Sequence, residues 1–116
     1  MSDNTKQASL RLADLGSAIK LESADDTSSF QIGTPGYLAP EVLLAKPYSF
    51  SCDIWGIGAL MTVLLSAKLP FWDDNRKERK RRVCFEPLNL EADSFMSRLS
   101  EDAKDLVTGM LNKDPS

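Results

Sequence analysis

The stretch GTPGYLAPE, Gly33–Glu41, stands between two other short motifs in this chain. DLG at Asp14–Gly16 lies upstream of it, and DIWGIG at Asp53–Gly58 lies downstream. Each motif alone is weak, because an aspartate close to a glycine is ordinary turn chemistry and a lone Ala-Pro-Glu is common. The three motifs in this order and at these separations are far more specific than any one of them. Their combination therefore decides the fold that the sequence predicts.

Composition limits the class of protein. The chain has 116 residues, 42% hydrophobic and 27% charged, which fits one globular domain. The formal net charge of -3 argues against a nucleic-acid-binding domain. There is no histidine, and the two cysteines, Cys52 and Cys84, form no metal-ligand pattern, so we expect no zinc site and reduced thiols.

Hydropathy gives no sign of a membrane protein. The longest apolar run, Ile54–Ala67, is about 14 residues, short of the roughly 20 that a membrane span needs. Met1–Gln7 is polar and lacks the apolar core of a secretory signal. We therefore expect no membrane partner and a cytoplasmic location. The nucleus is an alternative, because the chain contains a run of basic residues that is described below.

Local patterns predict mostly helices. Pro40 opens a short helix that ends at Leu44 or Ala45. Ser51 is a candidate cap for a second helix, which is apolar on nearly every face from Ile54 to Leu65. Such a helix belongs in the middle of a core, and in this chain alone we expect part of its surface to be exposed. A charged helix is expected at about 75–82 and a last helix from Ser100 to residue 111 or 112. Two short strands, at 9–12 and 18–21, and a surface loop at 22–31 are also predicted.

Further matching segments follow the three motifs. They are LPFWDD at Leu69–Asp74, AKDLV at Ala103–Val107 and MLNKDP at Met110–Pro115. Together, the motifs resemble the serine/threonine protein kinases of the calcium/calmodulin-dependent group, over nearly the whole chain. The resemblance implies a mainly α structure, part of the C-terminal lobe of the α+β kinase fold with one or two short strands at its start. The activation segment would cover roughly 14–41 and the central helices roughly 51–112.

Three hallmarks of these kinases do not occur in the sequence. They are the glycine-rich phosphate loop, the Val-Ala-Ile-Lys strand and the His-Arg-Asp catalytic loop. The resemblance therefore implies a kinase domain truncated at both ends, whose reaction is transfer of the ATP γ-phosphate to protein Ser or Thr hydroxyls. We expect this chain alone to be inactive. The alternative is a non-catalytic kinase-like module that binds partners.

The resemblance assigns chemistry to the first two motifs. Asp14 would hold magnesium against the ATP phosphates, beside the flexible Gly16, and Leu15 stands where the family usually has phenylalanine. Thr34 would support catalysis through its hydroxyl, which can both donate and accept hydrogen bonds. The substrate platform would consist of Pro35, Gly36, Tyr37 and Leu38.

Three further residues would be structural supports. Glu41 resembles a glutamate that pairs with an arginine, which the family's pattern places beyond Ser116. Asp53 resembles an aspartate that accepts backbone hydrogens from the catalytic loop, and Trp55 is the core anchor beside it. A capped and buried helix without chemistry is the simpler interpretation of the last two.

Two surface features suggest regulation or partners. Thr27, Ser28 and Ser29 are candidate phosphosites, although the group's usual acceptor position is occupied by Phe30, and a solvated loop is the alternative. The run 76–82 carries six basic residues in seven: Arg76, Lys77, Arg79, Lys80, Arg81 and Arg82. It is a candidate docking face for acidic partners or an import signal, and a solvated helix face is the simpler alternative.

Overall fold

The computed structural model describes residues 9–23, 26–28 and 33–115. Within these ranges there are four α-helices: α1 at Pro40–Leu43, α2 at Ser51–Ser66, α3 at Arg76–Phe85 and α4 at Glu101–Met110. Three short 3-10 turns accompany them, at Leu15–Ser17, Leu90–Ala92 and Met96–Arg98. The expected mainly α fold is confirmed. No helix in the described ranges is long and apolar enough to cross a membrane.

The short helix α1 begins where its proline predicts. Pro40 occupies the first turn, where its missing N–H is not needed, and Ala45 follows the helix with a left-handed φ of 56°. Three of its residues, Pro40, Glu41 and Val42, are buried. Helix α1 packs against α3, which fixes the end of the 33–41 stretch to the helical part of the chain.

The long helix α2 begins without a side-chain cap. Ser51 is its first helical residue, and Phe50 stands at the cap position without a capping bond, so the predicted role of Ser51 is wrong. A cap serine stands just before the first helical residue, whereas Ser51 already lies within the helix, and the N–H groups of Cys52 and Asp53 donate to the carbonyls of Ser49 and Phe50 at 3.3 and 3.0 Å. Asp53 lies in the first turn as predicted.

Helices α3 and α4 have clear caps. The Asn75 side chain accepts hydrogen bonds from the backbone N–H groups of Lys77 and Glu78, at 2.9 and 3.1 Å. The Ser100 hydroxyl accepts one from Ala103 N–H at 3.1 Å, which confirms the predicted start of the last helix. These bonds satisfy N–H groups that a helix start would otherwise leave unpaired.

One core joins the helices. It contains Ala39, Val42, Trp55, Phe71, Val83, Met96, Val107 and Leu111. The Trp55 and Phe71 rings stack with their centroids 6.1 Å apart. Helices α2 and α4 cross closely at Gly58, where an added Cβ would lie only 2.8 Å from Met110 Cβ.

Helix α2 is covered on one face and open on another. Its covered face contains Trp55, Gly58 and Thr62, whereas Leu64 is 75% exposed. This agrees with the exposure expected for an all-apolar helix in this chain alone. The strands predicted at 9–12 and 18–21 do not form. Residues 9–20 are all exposed, and no described strand lies beside them to supply backbone partners.

Candidate functional site

The platform stretch 33–38 is shaped by two glycines and a turn. Gly33 and Gly36 have φ values of 143° and 97°, in a region that side chains disfavour. A Cβ on Gly36 would lie 2.7 Å from Leu69 Cδ1, so the stretch passes close to the loop after α2. The Tyr37 N–H donates to the Thr34 carbonyl at 3.1 Å, and Thr34 itself is exposed. The structure thus holds the four predicted platform residues in one defined path.

A groove of about 540 Å³ separates this platform from helix α3. Its platform wall includes Gly33, Pro35 and Gly36. Val83 belongs to its apolar lining, and three basic residues from α3 complete it: Arg76, Arg79 and Lys80. The structure therefore places the predicted platform beside part of the predicted basic run.

The buried glutamate of α1 lies directly after this platform. Glu41 is 6% exposed, and burial raises the pKa of its carboxyl above the ordinary value of 4.5, against an opposing effect of its own backbone N–H. Within the described ranges no lysine or arginine forms an ion pair with it. Its predicted structural role is consistent with burial, and its predicted pairing with an arginine stays a prediction.

Asp14 lies in the exposed part of the chain. Its φ is 59°, and its carboxylate accepts a long hydrogen bond, 3.4 Å, from the Gly16 N–H. The residues after it approach the start of α2, where Ile19, Tyr48 and Asp53 help to line a cavity of about 240 Å³. In the described ranges no three His, Cys, Asp or Glu side chains cluster as a metal site. One accessible carboxylate still fits magnesium, which proteins commonly hold through one or two carboxylates while nucleotide phosphates supply other ligands.

Comparison with known proteins identifies the family. The family model described as "Protein kinase domain" matches residues 1–116. The chain belongs to the protein kinase family.

Three relatives show the same relationship. The chain is similar to G protein-coupled receptor kinase 4 of Rattus norvegicus, at 35% identity over 92% of the chain and 18% of the relative. It is also similar to the smooth-muscle myosin light chain kinase of Gallus gallus, at 35% identity over 98% of the chain and 6% of the relative. A probable myosin light chain kinase of Dictyostelium discoideum is 39% identical over 91% of the chain and 33% of its own length. The chain thus spans a third or less of each of these kinases.

In this kinase chain the four helices form part of the C-terminal lobe. Trp55 is buried in its core, 2% exposed, as predicted for a structural anchor. Asp53 is exposed, and its carboxylate lies 3.9 Å from the Cys52 thiol, a weak contact. The predicted acceptance of catalytic-loop hydrogens by Asp53 stays untested.

The candidate phosphosites of the kinase chain differ in exposure. Thr27 is exposed. Ser28 is half-buried, and its backbone forms a reciprocal bridge with Tyr48, with both N–H to O distances at 2.8 Å. Ser29 lies outside the described residues. Of the two described candidates, Thr27 is therefore the one that is open to solvent.

The sequence did not predict the role of one half-buried cation of the lobe, Lys113. The Lys113 ammonium lies 3.7 Å from the Phe71 ring centroid and 5.4 Å from that of Trp55. It donates to the carbonyls of Val83 at 2.6 Å and Arg82 at 3.4 Å. Burial lowers its pKa to about 8, against the smaller opposing effects of Cys84 and Glu86. The local sequence around Lys113 does not predict these contacts, because they join residues at least 30 positions apart.

Proposed function

We propose that this chain is a segment of a serine/threonine protein kinase, similar to the calcium/calmodulin-dependent group, that transfers the ATP γ-phosphate to protein Ser or Thr hydroxyls. The observation that carries the proposal is the platform, which the helical core holds in one path beside an open groove. Its order after the DLG motif is that of an activation segment at roughly 14–41. Membership of the kinase family supports the reaction class.

The proposal gives each end of the activation segment a separate task. Phosphoryl transfer depends mainly on positioning and on neutralising phosphate charge. When bound, ATP would supply the phosphoryl group, and magnesium would neutralise part of the phosphate charge. The exposed carboxylate of Asp14 would hold the metal, and the exposed hydroxyl of Thr34 would bond catalytic groups through its donor and acceptor sites. The platform would position the acceptor hydroxyl of the substrate.

The 116 residues alone are not sufficient for this reaction in our proposal. The sequence contains no His-Arg-Asp loop to orient the acceptor and no strand lysine to hold the phosphates. The metal-binding candidate lies in a stretch with no buried residue. We therefore place the activity in the larger kinase domain to which such a segment belongs.

A second candidate function is a non-catalytic kinase-like module. The observation in its favour is the basic lining of the groove, which can attract acidic partners without any phosphoryl transfer. This function requires only the platform and helix α3. In such a module Asp14 would have no functional role.

The substitution Asp14→Asn in a kinase domain that contains this segment separates the two functions. We expect at least about a hundredfold loss of peptide phosphorylation, because a magnesium-holding charge is removed. Thermal stability should not change, since Asp14 is exposed and its bond within the described residues is the local one from Gly16. Asp105→Asn, an exposed carboxylate on α4, is the matched control and should retain turnover. Near-normal turnover by Asp14→Asn would overturn the assignment.

A further inference from the structure

The basic run of α3 is divided between two kinds of environment. Arg81 forms an ion pair with Glu78, and Arg82 forms one with Glu86 at 3.1 Å. These two charges are balanced within the helix and its end. In contrast, no carboxylate in the described ranges forms an ion pair with Arg76, with Arg79 or with Lys80, which line the groove together.

Helical spacing places those three on one face. Residues 76, 79 and 80 are related by steps of three and four, which bring side chains to the same side of a helix. Arg79 is also held in place: its guanidinium carbon lies 4.4 Å from the Trp72 ring centroid, and it donates to the Asp73 carbonyl at 3.2 Å. Neither the ring nor the carbonyl carries a negative charge, so the positive charge of Arg79 remains uncompensated while its position is restricted.

The opposite wall contributes no charge. It contains Gly33, Pro35, Gly36 and Leu38, with Val42 and Val83 beneath. Glycines at the wall let a second backbone approach closely. The groove therefore combines a neutral wall and an apolar floor with a row of cations, on a chain whose formal net charge is -3.

We propose that this groove binds an acidic polypeptide segment in an extended conformation. Its Asp or Glu carboxylates would face Arg76, Arg79 and Lys80, and a small apolar side chain would lie on the floor at Val42 and Val83. Bidentate pairing with arginine favours carboxylates at this position. The inference rests on the proposed function in taking 35–38 as the substrate platform, and it adds a substrate class: proteins with acidic residues beside the acceptor.

Peptide binding tests the proposal without ATP and without turnover. The probe is a fluorescent serine peptide rich in glutamate, compared with the same peptide carrying glutamine, titrated onto the chain at low and high salt. The groove variant is Arg76→Gln with Lys80→Gln, which leaves the packed Arg79 in place. The matched control is Lys77→Gln with Arg81→Gln, which removes the same formal charge from residues outside the groove.

We expect the groove variant to weaken binding of the glutamate peptide about tenfold at low salt, and much less at high salt. The control should change it by less than about twofold, and both variants should keep the unfolding midpoint of the unchanged chain. Equal weakening by both variants would overturn the proposal, because it would show attraction to net charge alone. Absence of glutamate-peptide binding, or tighter binding of a single-stranded oligonucleotide than of the peptide, would overturn it too. Failure of the Asp14→Asn test would leave this result intact, since no phosphoryl transfer is measured.

Discussion

Residues 9–23 and residues 33–115 carry motifs of similar clarity, yet the structure supports them very differently. In the first region no residue is buried, and Leu10 and Leu12 are 98% and 90% exposed. In the second, Trp55 is 2% exposed and Val107 is fully buried. A recognisable motif therefore does not imply that the surrounding chain is packed.

The contrast separates two requirements of a phosphotransfer site. The platform must have a fixed shape, and its glycines and α1 tie it to the core. The proposed metal ligand, Asp14, needs an accessible charge; its carboxylate is exposed and, among the described residues, accepts a 3.4 Å bond from the Gly16 N–H. In our proposal, substrate positioning would therefore depend on the described helices, whereas metal placement would depend on groups that Asp14 does not contact in the described structure.

The largest expected effect concerns the core anchor. Trp55→Ala should lower the free energy of unfolding by about 3–5 kcal/mol, because it removes a buried ring that stacks on Phe71. That is a large share of the roughly 5–15 kcal/mol that keeps a domain folded. Leu12→Ala, in the exposed region, should change it by no more than about 0.5 kcal/mol. Urea denaturation followed by circular dichroism measures both, and similar losses would refute the division into two regions.

A smaller effect is expected at the helix crossing. Gly58→Ala should destabilise the chain by about 1–2 kcal/mol, since its Cβ would lie 2.8 Å from Met110 Cβ and 3.0 Å from Leu111 Cδ2. Gly109→Ala is the control on α4, because no described atom outside its own helix turn lies within 4 Å of the added Cβ. There the gain in helix propensity should stabilise by about 0.5–1 kcal/mol. If Gly58→Ala proved as favourable, the close approach of α2 and α4 would be wrong.

The smallest effect is a pH dependence from Lys113. Its pKa is about 8 in the folded chain against an ordinary value of 10.5, so the unfolded chain binds more protons between these values. The free energy of unfolding should therefore rise with pH across this window, and stay flat below it as far as Lys113 is concerned. We expect a change of about 1 kcal/mol in the free energy of unfolding, because Lys113 is half-buried and solvent screens part of its charge. Denaturation curves of the unchanged chain and of Lys113→Met should differ in this slope, and parallel curves would exclude the buried charge.

Local signals in the sequence predicted local structure well. Pro40, Asp53 and Ser100 each lie at the helix positions that their chemistry indicates. Strands at 9–12 and 18–21 could not be judged this way, because a strand exists only when another strand supplies its hydrogen bonds. Burial likewise depends on neighbouring elements. The apolar pattern of α2 does not tell which of its faces other parts of the chain cover.

The site also has parts that the sequence predicts and parts that only tertiary packing determines. The charges of α3 and the platform residues could be found from the sequence, and helical spacing already places residues 76, 79 and 80 on one face. That this face meets the platform is a tertiary fact, set by the packing of α1 on α3. The contacts of Lys113 could not be predicted either, because they too depend on tertiary packing.

The burial of the two cysteine thiols determines how they react with alkylating reagents. Burial, with help from the nearby Asp53 and Glu41 carboxylates, raises the pKa of Cys52 to about 11, and burial likewise raises the pKa of Cys84. The thiolate is the form of cysteine that attacks alkylating reagents, and it is scarce at neutral pH when the pKa is high. Cys84 also lies 3.9 Å from the Pro40 carbonyl, inside the contact between α1 and α3. A change in the packing of α1 on α3 should therefore alter the rate at which Cys84 is labelled.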